Sequence, residues 1–283
     1  MLSKRHIKRS FSANALKYDR AASVQRNISN KLLSHIDKSL KNAVSNPSLW
    51  KGSILDIGCG TGYLTGKIKK KYPQTSVNAL DLSSSMIKKA KETYPEIDFS
   101  QGDAEKLPYT DNSFDLVISA STYQWVENLE KAFKEVRRVL KPEGLFIFSV
   151  FGKNTLKELR NSYEYAYKKY FKSKKNIPVH KFISLGDLFD LLNNFQIIFI
   201  ANEYLYTTTN KMETLIRRIK NLGAQNAHNN RPRGLGQRTV LKNTEKYYKE
   251  NFSTDNGDLI VTWEALYCKT QIGITRHSRA KDA

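Results

Sequence analysis

Three glycines at alternate positions, Gly58, Gly60 and Gly62, follow the apolar run Ile54-Leu-Asp-Ile57, with the acid Asp56 just ahead of them. Glycines in such a turn let the backbone fold tightly and approach a ligand where any Cβ would collide. A dinucleotide fingerprint reads Gly-x-Gly-x-x-Gly and a phosphate loop carries a Lys-Ser/Thr pair; this segment has neither. Asp56 would repel a pyrophosphate and suits a ligand with an ammonium group. About twenty residues on, where such sites place an acid for the ribose, Ala79-Leu80-Asp81 offers a carboxylate to both hydroxyls of an unphosphorylated sugar. Gly102-Asp103-Ala104-Glu105 supplies another, suited to an exocyclic amine, and a further apolar run ends at Ser119. Taken singly, each acid reads as a turn or capping residue. Four successive run ends carrying such groups point to one site.

The elements that must position these groups follow from hydrophobic periodicity. Ser53 to Ile57, Ser76 to Leu80, Asp98 to Gln101, Phe114 to Ala120 and Leu145 to Phe151 read as strands. Tyr63 to Tyr72, Ser84 to Thr93 and Leu129 to Leu140 read as helices, the last stopping before Pro142 and Gly144. Strands alternating with helices imply crossovers and a parallel sheet, and such sheets bind ligands at the carboxyl ends of their strands. Ahead of this unit, Val24, Ile28, Leu32, Ile36 and Leu40 are spaced four apart and predict a helix from Ala21 to Val44. After it come helices at Thr155 to Phe171, Leu185 to Leu192 and Lys211 to Leu222, and another through Tyr247. Strands at Phe195 to Leu205 and Asp258 to Cys268 complete the sheet's edge, and Gly223 to Gly236 is a Gly-, Asn- and Arg-rich loop.

Residues 50–150 resemble the class I S-adenosylmethionine-dependent methyltransferases. The resemblance implies an α/β, Rossmann-like fold: a mostly parallel seven-stranded sheet with helices on both faces and a helical cap. It implies S-adenosyl-L-methionine as cofactor and no metal. Gly58, Gly60 and Gly62 would pass beneath the methionine part, with Tyr18, Gln25 and Asp56 also at the cofactor. Asp81 would hold the ribose hydroxyls, Leu82 and Met86 would flank the adenine, Asp103 and the Ala104 amide would read its amino group, and Ser119 would lend backbone near the sulfonium. A methyl already activated on sulfur asks the protein chiefly to align a nucleophile and exclude water. No catalytic side chain is expected, and no Cys/His or Ser/His/Asp arrangement stands out.

The flanks carry a narrower resemblance. Phe11-Ser-Ala-Asn-Ala-Leu-Lys-Tyr18-Asp-Arg-Ala-Ala-Ser-Val-Gln25, Ser121-Thr-Tyr-Gln124-Trp125, Thr155-Leu-Lys-Glu-Leu-Arg160, Leu222-Gly-Ala-Gln-Asn226 and Trp263-Glu-Ala-Leu-Tyr267 together resemble the malonyl-[acyl-carrier-protein] O-methyltransferases of biotin synthesis, over about residues 8–268. The resemblance implies esterification of the free carboxyl of a malonyl thioester on an acidic acyl carrier protein. Gln124, Trp125 and His180 are expected at the substrate, and a carboxylate needs a planar cationic partner, for which Arg231, Arg233 and Arg238 are the candidates, unranked. The layout expected is a helical segment covering the cofactor site at 1–45, the cofactor-binding core at 46–151, a substrate cap with the last strands at 152–270 and a basic, disordered tail at 271–283.

The net charge of +20 is uneven along the 283 residues. Residues 54–150 hold thirteen basic and thirteen acidic side chains; residues 1–53 hold eleven against two and residues 151–283 twenty-three against twelve. Lys153 to Lys181 holds nine basic residues against Glu158 and Glu164, and Arg217 to Lys242 holds seven with no acid. Such faces favour an acidic partner, although a Lys- and Asn-rich composition by itself leaves many lysines merely solvated. Charge alone, without a nucleic-acid motif, does not make a nucleic-acid binder, and no apolar run approaches the roughly 20 residues of a membrane span. No stable membrane association is expected. Two cysteines, Cys59 and Cys268, fit packed thiols in a reducing, cytoplasmic compartment; the basic, acid-poor start also allows an organelle matrix. Two rival readings stand beside this one: a methyltransferase acting on a quinone-type small molecule, which would share every cofactor residue, and a methyltransferase-like assembly factor for a respiratory complex that acts on a protein partner without methyl transfer.

Overall fold

The computed structural model describes residues 3–43, 46–171, 180–222 and 235–273. Its sheet has seven strands: β1 Ser53–Ile57, β2 Ser76–Asp81, β3 Asp98–Gln101, β4 Phe114–Ala120, β5 Leu140–Phe151, β6 Gln196–Thr209 and β7 Leu259–Gln271, in the order β3-β2-β1-β4-β5-β7-β6. The neighbours from β3 to β5 pair in parallel, and β7 runs antiparallel to both β5 and β6. The helices are α1 Lys4–Ala21, α2 Ser23–Ala43, α3 Tyr63–Lys71, α4 Ser84–Thr93, α5 Leu129–Val139, α6 Lys157–Phe171, α7 Leu185–Leu191, α8 Met212–Asn221 and α9 Leu235–Asn251.

Side chains alternate across a strand, so a sheet covered on both faces needs apolar residues at consecutive positions. The central strands meet that demand. Ile54, Leu116, Ile118 and Ile147 face one core together with Val24, Ile28, Leu32 and Ile36 of α2, whose four-residue spacing forms a buried stripe. Leu55, Ile57, Val117, Phe146 and Phe148 face the other, against Ala132, Phe133 and Val136 of α5. At about 1.5–3 kcal/mol for each fully buried large apolar side chain, these layers carry much of the fold's stability.

The structure departs from the periodicity at both ends. Residues 4–21 form a helix of their own, α1, where the reading began at Ala21; it turns into α2 at Ala22, with φ −87° and ψ 30°. Ile7 and Ala15 are its buried apolar positions, too few to show as an amphipathic repeat. β5 begins at Leu140, with a shift in its pairing to β4 between Phe114 and Leu116. β6 and β7 are longer than expected. Their pairs from Tyr204↔Glu264 to Thr209↔Leu259 project past the last β5 pair, Phe151↔Ala265, as a two-stranded ribbon. Tyr248 of α9 donates its hydroxyl to Ile260 O at 2.5 Å, and Trp263 donates Nε1 to Thr207 Oγ1 at 3.0 Å. The ribbon and its helices thus stand above the carboxyl ends of the parallel strands.

Candidate functional site

Gly58, Gly60 and Gly62 have φ of 73°, 56° and 83°, which L side chains adopt only with strain. Their surroundings differ. A Cβ on Gly58 would run into the Thr122 side chain, one on Gly62 would press on Phe99 and Tyr94 at 3.0 Å, and one on Gly60 meets nothing within 4 Å. Gly60 therefore opens onto the cleft, while Gly62 serves packing. Gly58 N and Cys59 N both donate to Leu80 O, at 2.8 and 3.0 Å, so the loop is pinned to the end of β2.

Asp81, the last residue of β2, accepts from Gly60 N at 3.0 Å and from Ser83 N at 2.8 Å, one on each carboxylate oxygen. A carboxylate offers about four lone-pair sites, so each oxygen can still accept a hydroxyl. Burial raises its pKa to about 6 against the lowering effect of the two amides. Asp56 is 2% exposed and accepts from Thr65 Oγ1 at 2.6 Å. Burial lifts it to about 7 despite that bond, with Asp81 adding to the rise. Two acids poised near neutrality in an apolar surround are ready to ionise toward a cationic ligand.

The cleft above Asp81 and Gly60 is bounded by Leu82, Met86, Asp103 and Ala104 below and by Lys4, Ile7, Phe11 and Tyr18 of α1 above. α1 is strapped across it by polar contacts along its length. Lys4 Nζ lies 2.8 Å from Asp103 Oδ2 and 2.7 Å from Glu105 Oε2, the Ser12 and Ser83 hydroxyls are 2.8 Å apart, and Thr61 Oγ1 donates to Asp19 Oδ1 at 2.7 Å. A smaller cavity continues past Gly58, Gly60 and Tyr18 to Asp56, Gln25 and Arg26. There, Gln25 Oε1 and Arg26 Nε are buried with no hydrogen-bond partner. A groove with three acids, a glycine floor and an orphaned acceptor and donor at one end fits a nucleoside joined to an amino acid, whose carboxylate and ammonium would satisfy them. Nothing in the local sequence marks Lys4, Asp19 or Arg26 as lining this groove; for Arg26 the neighbouring Gln25 is the nearest signal. Tyr18 remains a neutral phenol, its pKa raised by burial and by Asp81 and Asp19.

Other expected residues sit differently. Ser119 is wholly buried and donates Oγ to Ile57 O at 2.7 Å, which ties β4 to β1; Ala120 and Ser121 are the residues that border the cleft. Ser121 has φ 55°. Gln124 is also inside: it donates Nε2 to Ser121 O at 2.5 Å and accepts from Phe151 N at 3.5 Å, bracing that strained turn. Trp125 borders the cleft, with Phe11 5.6 Å away in a T-shaped contact and His180 at 4.8 Å between centroids. The ring series continues through Phe182, Phe151 and Trp263. Two half-buried guanidiniums lie on it, Arg160 at 5.9 Å from the Phe182 ring and Arg218 at 5.8 Å from Trp263. Burial lowers the pKa of both. Arg160 donates to Lys153 O, and Arg218 donates to Ser23 Oγ at 2.6 Å. Arg238 is exposed on α9, and Arg231 and Arg233 lie outside the described residues, as does 274–283 of the basic tail. Among the described residues no cluster suits a metal ion and no helix is long and apolar enough to cross a membrane. Cys59 and Cys268 are free thiols.

Residues 55–148 match the methyltransferase domain family. Over 278 residues the chain is 34% identical to a malonyl-[acyl-carrier protein] O-methyltransferase of Methylovorus sp. (strain MP688), covering 94% of this chain and 88% of that one. A protein of the same description from Geobacter sulfurreducens is 31% identical over 272 residues, covering 94% and 98%. The crystal structure of a putative methyltransferase from Bacillus halodurans superposes with a TM-score of 0.57 at 18% identity, over 84% of this chain and all of that one, a likeness of fold.

Proposed function

Since the chain belongs to the malonyl-[acyl-carrier protein] O-methyltransferase family, we propose that it transfers the methyl of S-adenosylmethionine to the free carboxylate of a malonyl thioester borne by an acyl carrier protein, a step of biotin synthesis. When bound, the cofactor supplies a methyl on a positively charged sulfur: a carboxylate oxygen forms the new C–O bond, the S–C bond breaks with its electron pair going to sulfur, and no proton is moved.

The observation that carries this reading is the meeting of two unlike surfaces at Trp125: the acid-lined groove that it borders, and the aromatic wall bearing guanidiniums that runs on from it through His180, Phe182, Phe151 and Trp263. On the groove side, Asp81 accepts the ribose hydroxyls, Leu82 and Met86 flank the adenine, Asp103 and the Ala104 amide take its amino group, and Asp56, Gln25 and Arg26 hold the amino-acid end. Ser119 acts through its bond to β1, holding Ala120 and Ser121 in place. On the acceptor side, Trp125, with Gln124 bracing the turn before it and His180 tilted against it, excludes water from the reacting carboxylate. A guanidinium holds the acceptor's negative charge. Arg160 and Arg218 are held half-buried on the wall, and they join Arg231, Arg233 and Arg238 as candidates for that role. A carboxylate nucleophile is already ionised at neutral pH, so no side-chain base is required.

The test is transfer of labelled methyl from S-adenosylmethionine to malonyl-carrier protein, with acetyl-carrier protein and free malonate alongside. The expected result is a base-labile ester on the malonyl carrier and none on the acetyl carrier. Equal labelling of both, or of neither, would rule out the malonyl carboxylate as acceptor.

A further inference from the structure

Helix α1 presents two contrasting faces. Lys4, Ile7, Phe11 and Tyr18 point into the roof of the cleft. Arg5, Arg9, Ala13, Leu16, Lys17 and Arg20 are all exposed, and their spacing of three or four residues sets them in one stripe on the opposite side. Four of the six are cations. The only acid of α1, Asp19, is engaged by Thr61 at 2.7 Å, and Lys4 is held by Asp103 and Glu105, so neither offsets nor extends the outer charge.

Within this stripe Leu16 is 85% exposed, the most exposed large apolar side chain among the described residues. A single exposed leucine is ordinary. One set among cations, on the helix that roofs an active site, matches the composition of a docking surface, an apolar centre with a charged rim. α8 packs beside α1 and carries exposed Arg217 and Lys220. The basic helices α6 and α9 differ. On α6, Lys168 pairs with Glu164 at 3.8 Å; on α9, Lys246 pairs with Glu250 at 3.8 Å and Lys249 with Glu245 at 2.6 Å. Their charge is partly offset along the helix itself, whereas that of α1 is not.

We propose that the outer face of α1 is the docking surface for the carrier protein, whose acidic surface meets Arg5, Arg9, Lys17 and Arg20 and covers Leu16. The inference rests on the carrier-borne acceptor proposed above. It places the carrier directly over the cleft, so that the arm bearing the thioester has only to pass the edge of α1 at Phe11 and Trp125 to reach the aromatic wall.

Two variants test it, Leu16→Glu and the double charge reversal Arg9→Glu/Lys17→Glu, with Lys168→Glu/Lys169→Glu on α6 for comparison. Binding of the unacylated carrier is measured directly, and turnover is measured on malonyl-carrier protein and on malonyl-pantetheine, which lacks the protein. Both α1 variants are expected to weaken carrier binding and raise KM for malonyl-carrier protein roughly tenfold at low salt, as expected for two surface charge contacts turned repulsive, and less at high salt. Turnover on malonyl-pantetheine and the α6 variant should stay near wild type. Equal loss on both substrates, no loss of carrier binding, or a carrier-specific loss confined to the α6 variant would each overturn the docking assignment. Carrier bound through α1 without methyl transfer to its malonyl group would instead refute the acceptor assignment and leave the docking surface standing.

Discussion

Asp81→Asn should make the cofactor-free protein more stable while crippling cofactor binding. The Asp81 carboxyl is raised from its ordinary 3.8 to about 6 by burial. At 1.4 kcal/mol per pH unit, keeping it ionised in the folded, empty protein costs about 3 kcal/mol. Asn removes that cost but keeps a single acceptor oxygen: the NH2 that replaces the other cannot accept, so either Gly60 N or Ser83 N loses its partner, at a cost of about 1–3 kcal/mol. A net gain of up to about 2 kcal/mol remains, equivalent to a rise in Tm of up to about 4 °C for a domain of this size. The sign with pH is fixed by linkage. Because the folded value lies above the unfolded one, the wild type carries no penalty below pH 3.8, accumulates it up to about pH 6, and holds it constant above. The gain in the variant should therefore be absent near pH 4 and complete by pH 7. Cofactor affinity should fall by roughly 10- to 100-fold, the scale of hydrogen bonds to a charged group. Calorimetric unfolding with and without S-adenosylhomocysteine across pH 4–8, together with titration calorimetry at pH 7.5, reads both effects. A variant less stable than wild type at pH 7.5, or one that binds as well, would refute the reasoning.

Turnover at saturating substrates should change little between about pH 6 and 8, since the acceptor carboxylate is ionised throughout; a log-linear rise of the chemical step would require a titrating base. Lys4→Ala should speed cofactor dissociation about two- to fivefold in stopped-flow chase experiments, because its partly exposed pairs with Asp103 and Glu105 are worth only about 0.5–1 kcal/mol; an unchanged rate would mean the strap does not gate the cleft. Replacing Arg160 or Arg218 by Gln should, for whichever of the two meets the acceptor carboxylate, raise KM for the malonyl substrate roughly 10- to 100-fold at unchanged cofactor affinity; two variants with native KM would move that role to Arg231, Arg233 or Arg238. Gly58→Ala should lose cofactor binding, measured by calorimetry, since its Cβ meets Thr122 at a φ of 73°; native affinity would show that the loop yields.

The cofactor half of the site was legible in the sequence because its chemistry is local. Gly58 and Gly60 lie in the turn that follows β1 and Asp81 closes β2, and a parallel sheet brings successive strand ends to one edge by its topology alone. The α2 stripe and the apolar runs of β1, β4 and β5 were equally plain, since each element's own period carries them. What lies over that edge was decided by tertiary packing. α1 has too few buried apolar residues to announce itself, and it is held down by side chains 42 to 99 positions away, Thr61, Ser83 and Asp103. The side chains of Ser119 and Gln124 turn inward, because β4 alternates its faces and the Ser121 turn needs a brace, which leaves Ser119 only its backbone to offer the cleft. Which of many basic residues are desolvated, as Arg160 and Arg218 are, or paired along their own helix, as Lys249 is, depends on neighbours that only the folded chain supplies, since the cost of burying a charge is a property of its surroundings and not of the residue.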